Sequence, residues 1–430
     1  MPSHTRLGRL VALATVLAIL PASLMAQQSP GAASKSASNA TLCADTSQTG
    51  DERTTACRAV VDDAASDAAA HAALGAALLD DGELEEALPS LREAVRLAPA
   101  NARHHHRLGE ALYYLDHDEE AVAEFREAVH LEPDFARGHL DLGGALAYLE
   151  RVDEALASFD SAIAADTAFI EAYEAKAFLL SSLERFDESL AVYKALSVAQ
   201  PEYADAHYGA GMMLIQLQRL PEAVTSYRTA VRLAPEDAAN HNDLGVALQQ
   251  MGDHEAALEA YREAHRLEPE ETLYLGNVLT TMIQMERSAE AIAFAEERAK
   301  ASPSAERYHT LAAVHLALGQ HEAAIASARE ALTLDSTHVE AHLAIAITHL
   351  QQQKLEDALS ASLALTRLVP DEPRGWAIAG LASLALERAE DAVAHLTKAR
   401  ELGPELFQQQ PLLGQALNEA MAALARTPPR

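Results

Sequence analysis

Positive charge and cysteine are scarce in this chain of 430 residues. Only 33 Lys and Arg stand against 64 Asp and Glu, which gives a formal net charge of −31. Such a charge repels nucleic-acid phosphates and anionic lipids, so it argues against both as partners. It fits a solvated acidic surface or a basic protein partner. The two cysteines form no CxxC motif, which argues against a disulfide-exchange enzyme.

The N-terminus has the pattern of an export signal. Arg6 and Arg9 precede an apolar run over residues 10–20, which is too short to span a bilayer, and Pro21 follows it. We expect a signal peptide over residues 1–26, cleaved after Ala26. The mature protein would then be periplasmic or secreted, with no stable membrane insertion. An uncleaved membrane anchor is the alternative.

Residues 27–50 predict a flexible linker. Their first part, QQSPGAASKSASNA, is rich in Ser, Ala and Gly and has little apolar surface to offset the entropy of folding. Cys43 and Cys57 lie close in sequence in a protein that we expect to be exported to an oxidising compartment. We therefore expect a disulfide that holds this leader to a capping helix over residues 51–67.

From residue 68 onward the chain resembles itself with a period of 34 residues. Leu-Gly pairs at 74–75, 108–109 and 142–143 set the spacing, and the pair at 244–245 keeps the phase. Each unit contains two segments with helical apolar spacing, separated by a short polar turn, and most units end in proline. A repeat of this length indicates a solenoid of stacked helix pairs.

The repeat resembles the tetratricopeptide repeat (TPR) family. The second unit carries the family's pattern at these positions: Leu108, Gly109, Leu112, Ala121, Phe125, Ala128 and Pro133. The resemblance implies an all-α fold, a right-handed superhelical solenoid of about ten helix-turn-helix repeats over residues 68–406. The seventh unit is one residue short, and repeats four, eight and nine carry Ala177, Ala312 and Ala346 in place of the glycine. We expect capping helices at both ends, the second within residues 407–430.

Three consecutive histidines, His104, His105 and His106, predict packing rather than a metal centre. Neighbouring residues of a helix diverge by about 100°, so the three side chains point in different directions. His105 is at the fourth position of its repeat, where other repeats carry His, Tyr or Trp and the family places a large planar residue. Successive repeats lie on the order of 10 Å apart, whereas zinc ligands lie about 2 Å from the ion.

The sequence shows no catalytic motif. The zinc-protease pattern HExxH fails twice, because Leu258 and Ile325 stand where the second histidine is required. The chain contains no GxSxG, no phosphate-binding loop and no Gly-rich dinucleotide turn. We therefore predict no catalytic residue, no cofactor, no metal and no enzyme activity. Two i, i+4 pairs would make only a weak metal site: His106 with Glu110, and His338 with His342.

The resemblance implies that the first helices of successive repeats line a concave groove for peptides or partner helices. Carried over to this sequence, the groove is lined by aromatic, methionine and polar residues of those helices: Arg103, His106, Glu110, Tyr113, Tyr114, Arg137, Tyr148, Glu174, Phe178, Tyr208, Met212, Gln216, Asn242 and Gln250. Such residues are typical of interface hot spots. The alternative is that some of the tyrosines cover the neighbouring helix.

The sequence thus predicts a non-catalytic protein-protein interaction scaffold of the bacterial periplasm or cell envelope. Its partner would be a protein or peptide, and the acidic composition favours a basic one. Two other functions stay open. One is an accessory subunit that presents a separate enzyme, and the other is an enzyme with an unrecognised site around His106, Glu110 and Tyr114.

Overall fold

A computed structural model describes residues 32–45 and 50–426, and all regular secondary structure in these ranges is helical. The helices are α1 (Ala32–Ala44), α2 (Asp51–Asp63), α3 (Ala68–Asp80), α4 (Leu84–Leu97), α5 (Ala102–Tyr114), α6 (Asp118–Leu131), α7 (Ala136–Tyr148), α8 (Val152–Ala165), α9 (Ile170–Ser182), α10 (Phe186–Ala199), α11 (Ala204–Gln216), α12 (Leu220–Leu233), α13 (Ala238–Gln250), α14 (His254–Leu267), α15 (Thr272–Gln284), α16 (Ser288–Ala301), α17 (Ala305–Ala317), α18 (His321–Leu334), α19 (Val339–Gln351), α20 (Leu355–Leu368), α21 (Pro373–Ala385), α22 (Ala389–Leu402), α23 (Pro404–Gln409) and α24 (Pro411–Arg426). The predicted signal peptide lies outside the described residues. Within them, no helix combines the length and the apolar character needed to cross a bilayer.

Ten consecutive helix pairs, from α3–α4 to α21–α22, form the repeats. We call the first helix of each repeat A and the second B. Each A helix begins at the first residue of its predicted repeat, and the pair α15–α16 belongs to the short seventh repeat. The all-α repeat fold predicted from the 34-residue period is confirmed. The described residues divide into two compact units, the first ending at Lys176 and the second beginning at Ala177 within α9.

Helices A and B cross where a small residue on A meets a large residue on B. A Cβ added to the glycine of helix A would come within 2.5 to 2.7 Å of a side chain of helix B in six repeats: Gly75 with Leu91, Gly109 with Phe125, Gly143 with Phe159, Gly211 with Tyr227, Gly245 with Tyr261, and Gly380 with Leu396. Repeats eight and nine, whose A helices carry Ala312 and Ala346, have the small residues Ala328 and Ser362 at the equivalent positions of helix B. In these two repeats the missing glycine is therefore matched by a smaller partner.

Every A helix is followed by a residue with positive φ at the fifteenth position of its repeat. Gly82, Gly252 and Gly319 have φ between 69° and 82°, and the other seven repeats place Asp, Glu or Gln there with φ between 57° and 64°. A left-handed residue just past the helix ends it and turns the chain toward helix B. The turn thus recurs even where the sequence lacks the glycine that signals it.

Salt bridges join the outer faces of successive B helices. An arginine of one B helix pairs with a glutamate 28 residues further on, as in Arg92 with Glu120 and Arg126 with Glu154 in the first unit and Arg262 with Glu290 in the second. Exposed pairs of this kind contribute only about 0.2 to 1 kcal/mol each. Several of the chain's scarce basic residues are therefore committed to contacts between B helices.

The linker prediction is wrong for the residues of α1. The structure places a helix over Ala32–Ala44, and Cys43 is bonded to Cys57 of α2 with a Cα–Cα distance of 4.8 Å. Both cysteines are buried, and the Nε of Arg53 lies 3.5 Å from the carbonyl oxygen of Cys43. Contacts with α2 thus accompany a helix that the Ser- and Ala-rich composition alone did not predict.

The other end of the chain is closed by α23 and α24. Leu413, Ala416 and Leu417 of α24 pack in one cluster with Ala377 and Leu396 of the last repeat. These contacts cover apolar surface of repeat ten, which is the role expected of a capping helix.

Candidate interaction groove

The three consecutive histidines of α5 point in different directions, as the helix geometry predicts. The Nδ1 of His104 lies 3.3 Å from a carbonyl oxygen of α4, and the Nε2 of His105 lies 2.9 Å from the carbonyl oxygen of Pro99. The Nε2 of His106 lies 2.7 Å from Oδ2 of Asp141 in the next repeat. The three residues form no joint site.

Seven of the planar residues at the fourth repeat position share a hydrogen bond that the sequence did not reveal. In each case the side chain lies 2.8 to 3.3 Å from the carbonyl oxygen six residues earlier: His71, His105, His139, Tyr173, His241, His342 and Trp376. Because a carbonyl oxygen only accepts, the side chain is the donor. These residues hold the loop that enters the A helix in seven of the ten repeats, so their role is structural.

A polar network connects the A helices of repeats two and three. His106 contacts Asp141 through Nε2 and lies 3.6 Å from Glu110 through Nδ1. Arg107 donates to Glu110 at 2.9 Å, and Arg137 donates to Asp141 at 3.0 Å. His106 is only 6% exposed. Its predicted place on the groove surface is therefore corrected, because its bond to the next repeat buries it.

The possible metal ligands of this network are already bonded to one another or to arginines. His106, Glu110 and Asp141 bring possible ligand atoms within 4.8 Å of one another. The two nitrogens of His106 face different carboxylates, however, and each carboxylate already accepts from an arginine. Burial, and after it the charges of Glu110 and Asp141, raises the pKa of Tyr114 to about 12. That phenol therefore stays protonated near neutral pH.

Aromatic rings of repeats two and three lie against each other beside this network. The ring of Tyr113 is 6.0 Å from that of Tyr114 and 6.2 Å, edge to face, from that of Tyr148. Tyr148 stays 41% exposed. The interpretation that tyrosines cover the neighbouring helix thus describes Tyr113, while Tyr148 keeps accessible ring surface. Arg103 is exposed, and Arg137 is half-buried.

The predicted groove residues of repeats four to six differ in accessibility. Phe178 is 70% exposed, Gln216 and Gln250 are exposed, and Glu174, Tyr208 and Met212 are half-buried.

Two of these residues bond to the repeat that follows. The Tyr208 hydroxyl donates to Asp243 at 2.8 Å, and Asn242 accepts from Asn277 at 2.7 Å. Asn242 is 6% exposed, so its predicted groove position is corrected for the same reason as that of His106.

A cavity of about 320 Å³ lies further along the second unit, in repeats eight to ten. We call it the aliphatic groove, defined by its lining residues on three A helices and the cap: His309, Ala313, Leu316, Glu340, Leu343, Ala344, Ile347, Leu350, Arg374, Ala377, Ile378, Leu381, Leu406, Gln410 and Leu413. On the A helices these are repeat positions two, five, six, nine and twelve. Positions two, five, nine and twelve also hold most of the groove residues predicted for repeats two to six.

The sequence interpretation missed this groove because its walls are aliphatic. Leu343, Ile347 and Leu350 of α19 continue a helical apolar pattern that fits a buried core equally well. The signal that was available is positional. The sites that hold polar or aromatic groove candidates in earlier repeats hold Leu and Ile in repeats nine and ten.

Charged residues stand at one edge of the aliphatic groove. Arg374 donates to both carboxylate oxygens of Glu340, at 2.7 and 3.1 Å, and to Glu372 at 2.8 and 3.0 Å. The hydrogen bonds that Arg374 donates to Glu372 and, less strongly, to Glu340 hold the pKa of Arg374 above its ordinary value. Burial lowers the pKa of His309, although the nearby charges of Glu306 and Glu340 oppose the shift, so this ring is mostly neutral near pH 7. Its Nδ1 has no hydrogen-bond partner.

Family comparison agrees with this architecture. A tetratricopeptide repeat model matches residues 55–102, 106–168, 175–238 and 343–406, and a second model of that description matches 238–271. The chain belongs to the tetratricopeptide repeat family. A model described as subunit 3 of the anaphase-promoting complex, or cyclosome, matches residues 284–365. TPR proteins bind protein or peptide partners, and the fold is generally a non-catalytic interaction scaffold.

Solved TPR structures are similar to parts of this chain. YrrB, described as a TPR protein with an unusual peptide-binding site, is 21% identical over 43% of this chain and 96% of its own, with a TM-score of 0.37. MamA from Desulfovibrio magneticus RS-1 is 24% identical over 40% and 96%, with a TM-score of 0.35. PilF from Pseudomonas aeruginosa is 19% identical over 48% and 94%, with a TM-score of 0.38. A search of curated proteins found no match.

Proposed function

We propose that this TPR protein is a non-catalytic scaffold of the bacterial periplasm or cell envelope that binds a peptide or partner protein in the aliphatic groove. The observation that carries the proposal is the groove itself. Corresponding positions of three successive A helices together form one concave, mainly apolar cavity. Concave sites with apolar walls and a few polar groups are the usual form of a ligand site.

The contrast with repeats two and three supports this choice of site. There, His106, Glu110 and Asp141 are bonded to one another or to arginines, so a ligand would have to replace existing interactions. In the aliphatic groove, the walls at Leu316, Ile347 and Leu381 are half-buried and keep apolar surface in contact with water. Covering apolar surface of this kind favours binding.

Two observations support export. Arg6, Arg9 and the apolar run over residues 10–20 have the pattern of a signal peptide, and Cys43 is bonded to Cys57. Disulfides persist in oxidising compartments and are rare in the cytosol. N-terminal sequencing of protein recovered from the periplasm should give a start near Gln27. Recovery of the intact N-terminus in the cytosol would contradict export.

A tryptophan placed in the groove tests the binding site. Ala313 is exposed on α17 and lines the cavity, so Ala313→Trp should fill the space without disturbing the core. We expect the partner captured by the immobilised wild-type protein from a periplasmic extract to be lost from this variant.

Ala326→Trp is the matched control, because Ala326 is exposed on helix B of the same repeat. It should capture the partner as the wild type does, and circular dichroism should show equal helicity for all three proteins. Equal capture by Ala313→Trp would show that the partner binds elsewhere.

A further inference from the structure

The occupant of the aliphatic groove is constrained first by its walls. Leu343, Ile378 and Leu413 form buried parts of the lining, and no aromatic side chain apart from the His309 ring is among the lining residues. Walls of this composition fit Leu, Ile, Val or Met side chains. They offer no flat ring surface on which a planar ligand would stack.

The charges at the edge of the aliphatic groove place a second constraint on its occupant. Arg374 is the arginine of this edge, and four of the five N–H donors of its guanidinium are used by Glu340 and Glu372. Glu306, on the same helix as His309, is half exposed and pairs with His338. Three carboxylates, those of Glu306, Glu340 and Glu372, face one guanidinium, so the edge carries a net negative charge.

We propose that the aliphatic groove binds a segment of a basic protein, with aliphatic side chains in the cavity and a lysine or arginine beside Glu306 and Glu340. This inference rests on the proposed function and specifies its partner. An acidic segment would meet repulsion from the edge and from a chain of net charge −31, and it would find a single unoccupied donor on Arg374. A basic segment finds half-exposed carboxylates that accept further hydrogen bonds.

Two fluorescein-labelled peptides of equal length test the proposal. One carries leucines on one helical face and lysines on the other, and its counterpart has glutamate in place of every lysine. We expect the leucine-lysine peptide to bind the full-length protein and the leucine-glutamate peptide to bind at least tenfold more weakly, as followed by fluorescence anisotropy.

The charge variants distinguish the groove edge from the acidic surface at large. Glu306→Gln with Glu340→Gln should weaken binding of the leucine-lysine peptide about three- to tenfold, the range for two partly exposed ion pairs. The control combines Glu259→Gln with Glu330→Gln, which remove the same charge from exposed sites on B helices of the second unit. This control should change the affinity less than about twofold.

The outcomes separate the two proposals. Suppose that both peptides bind the wild type with equal affinity and that Ala313→Trp abolishes binding of both. The groove then binds peptides, but the proposed preference for a basic segment is wrong. If edge and control variants lose affinity equally, the lysines bind the general acidic surface, which also overturns the inference. If Ala313→Trp leaves binding of the leucine-lysine peptide unchanged, the proposed groove function itself fails.

Discussion

His265 lies on α14 at a position where other repeats carry Val95, Val129, Ile163 and Val231. Its side chain is 4% exposed, and neither ring nitrogen has a hydrogen-bond partner. Burial, followed by the charges of Arg298 and Arg307, lowers the pKa of His265 to about 4. We expect His265→Val to raise the free energy of unfolding by about 1 kcal/mol at pH 7.5, because it removes a buried polar group without a partner.

The increase in the free energy of unfolding caused by His265→Val should become larger as the pH falls. The folded-state pKa of His265 lies below the value of about 6.5 expected for an unfolded chain. Its neutral form therefore supports folding fully above about pH 6.5, and this contribution is lost progressively as the pH falls toward about 4. Thermal unfolding at pH 7.5 and pH 5 measures the difference between variant and wild type. The control is His130→Val, which replaces an exposed histidine on α6. Its effect on the free energy of unfolding should not grow comparably as the pH falls. An equal gain at both pH values would contradict the assignment.

The direction of a side chain was predictable where it depends only on the position of the residue within its helix. The divergence of His104, His105 and His106 follows from the rotation per residue, and the structure shows it. The burial of His106 and Asn242 was not predictable, because it depends on Asp141 and Asn277 in the next repeat. Sequence periodicity locates a residue on a helix face but does not show what the adjacent repeat places over it.

At the scale of helices, the glycines of the A helices differ in what surrounds them. A Cβ on Gly245 of α13 would lie 2.6 Å from the ring of Tyr261, whereas one on Gly276 of α15 would meet nothing within 4 Å. Gly245→Ala should lower the free energy of unfolding by about 1 to 3 kcal/mol through overpacking. Gly276→Ala should raise it by up to about 1 kcal/mol, since alanine is the better helix former. Urea unfolding followed by circular dichroism measures both, and a destabilised Gly276→Ala variant would show that α15 has a close neighbour.

The helix pairs themselves were predictable because glycine, proline and large residues recur with a fixed period. Two elements were not. The composition around Ala32–Ala44 favours a flexible chain, and its helix lies beside a disulfide and α2. The aliphatic groove was hidden because Leu and Ile on one face of α19 and α21 fit a core as well as a cavity wall. To decide between a core and a cavity wall, one must know which face of each A helix the B helices cover.

At the scale of the whole molecule, stability in a repeat array is close to a sum of local terms, because each repeat contacts mainly its neighbours. The bond between Cys43 and Cys57 acts at one end, where it joins α1 to α2, and a loop of this size contributes about 3 kcal/mol in the chain-entropy model.

Replacing both cysteines with alanine should therefore release α1 and leave the ten repeats folded. Limited proteolysis with mass spectrometry should show new cleavage within residues 32–44. The helicity of the repeats and peptide binding at the aliphatic groove should not change. Reduction of the disulfide in the wild type should reproduce this pattern. A Ser36→Ala variant that keeps the disulfide controls for substitution in the same segment. Loss of helicity across the repeats would instead mean that the disulfide supports folding of the whole array, and the local account would be wrong.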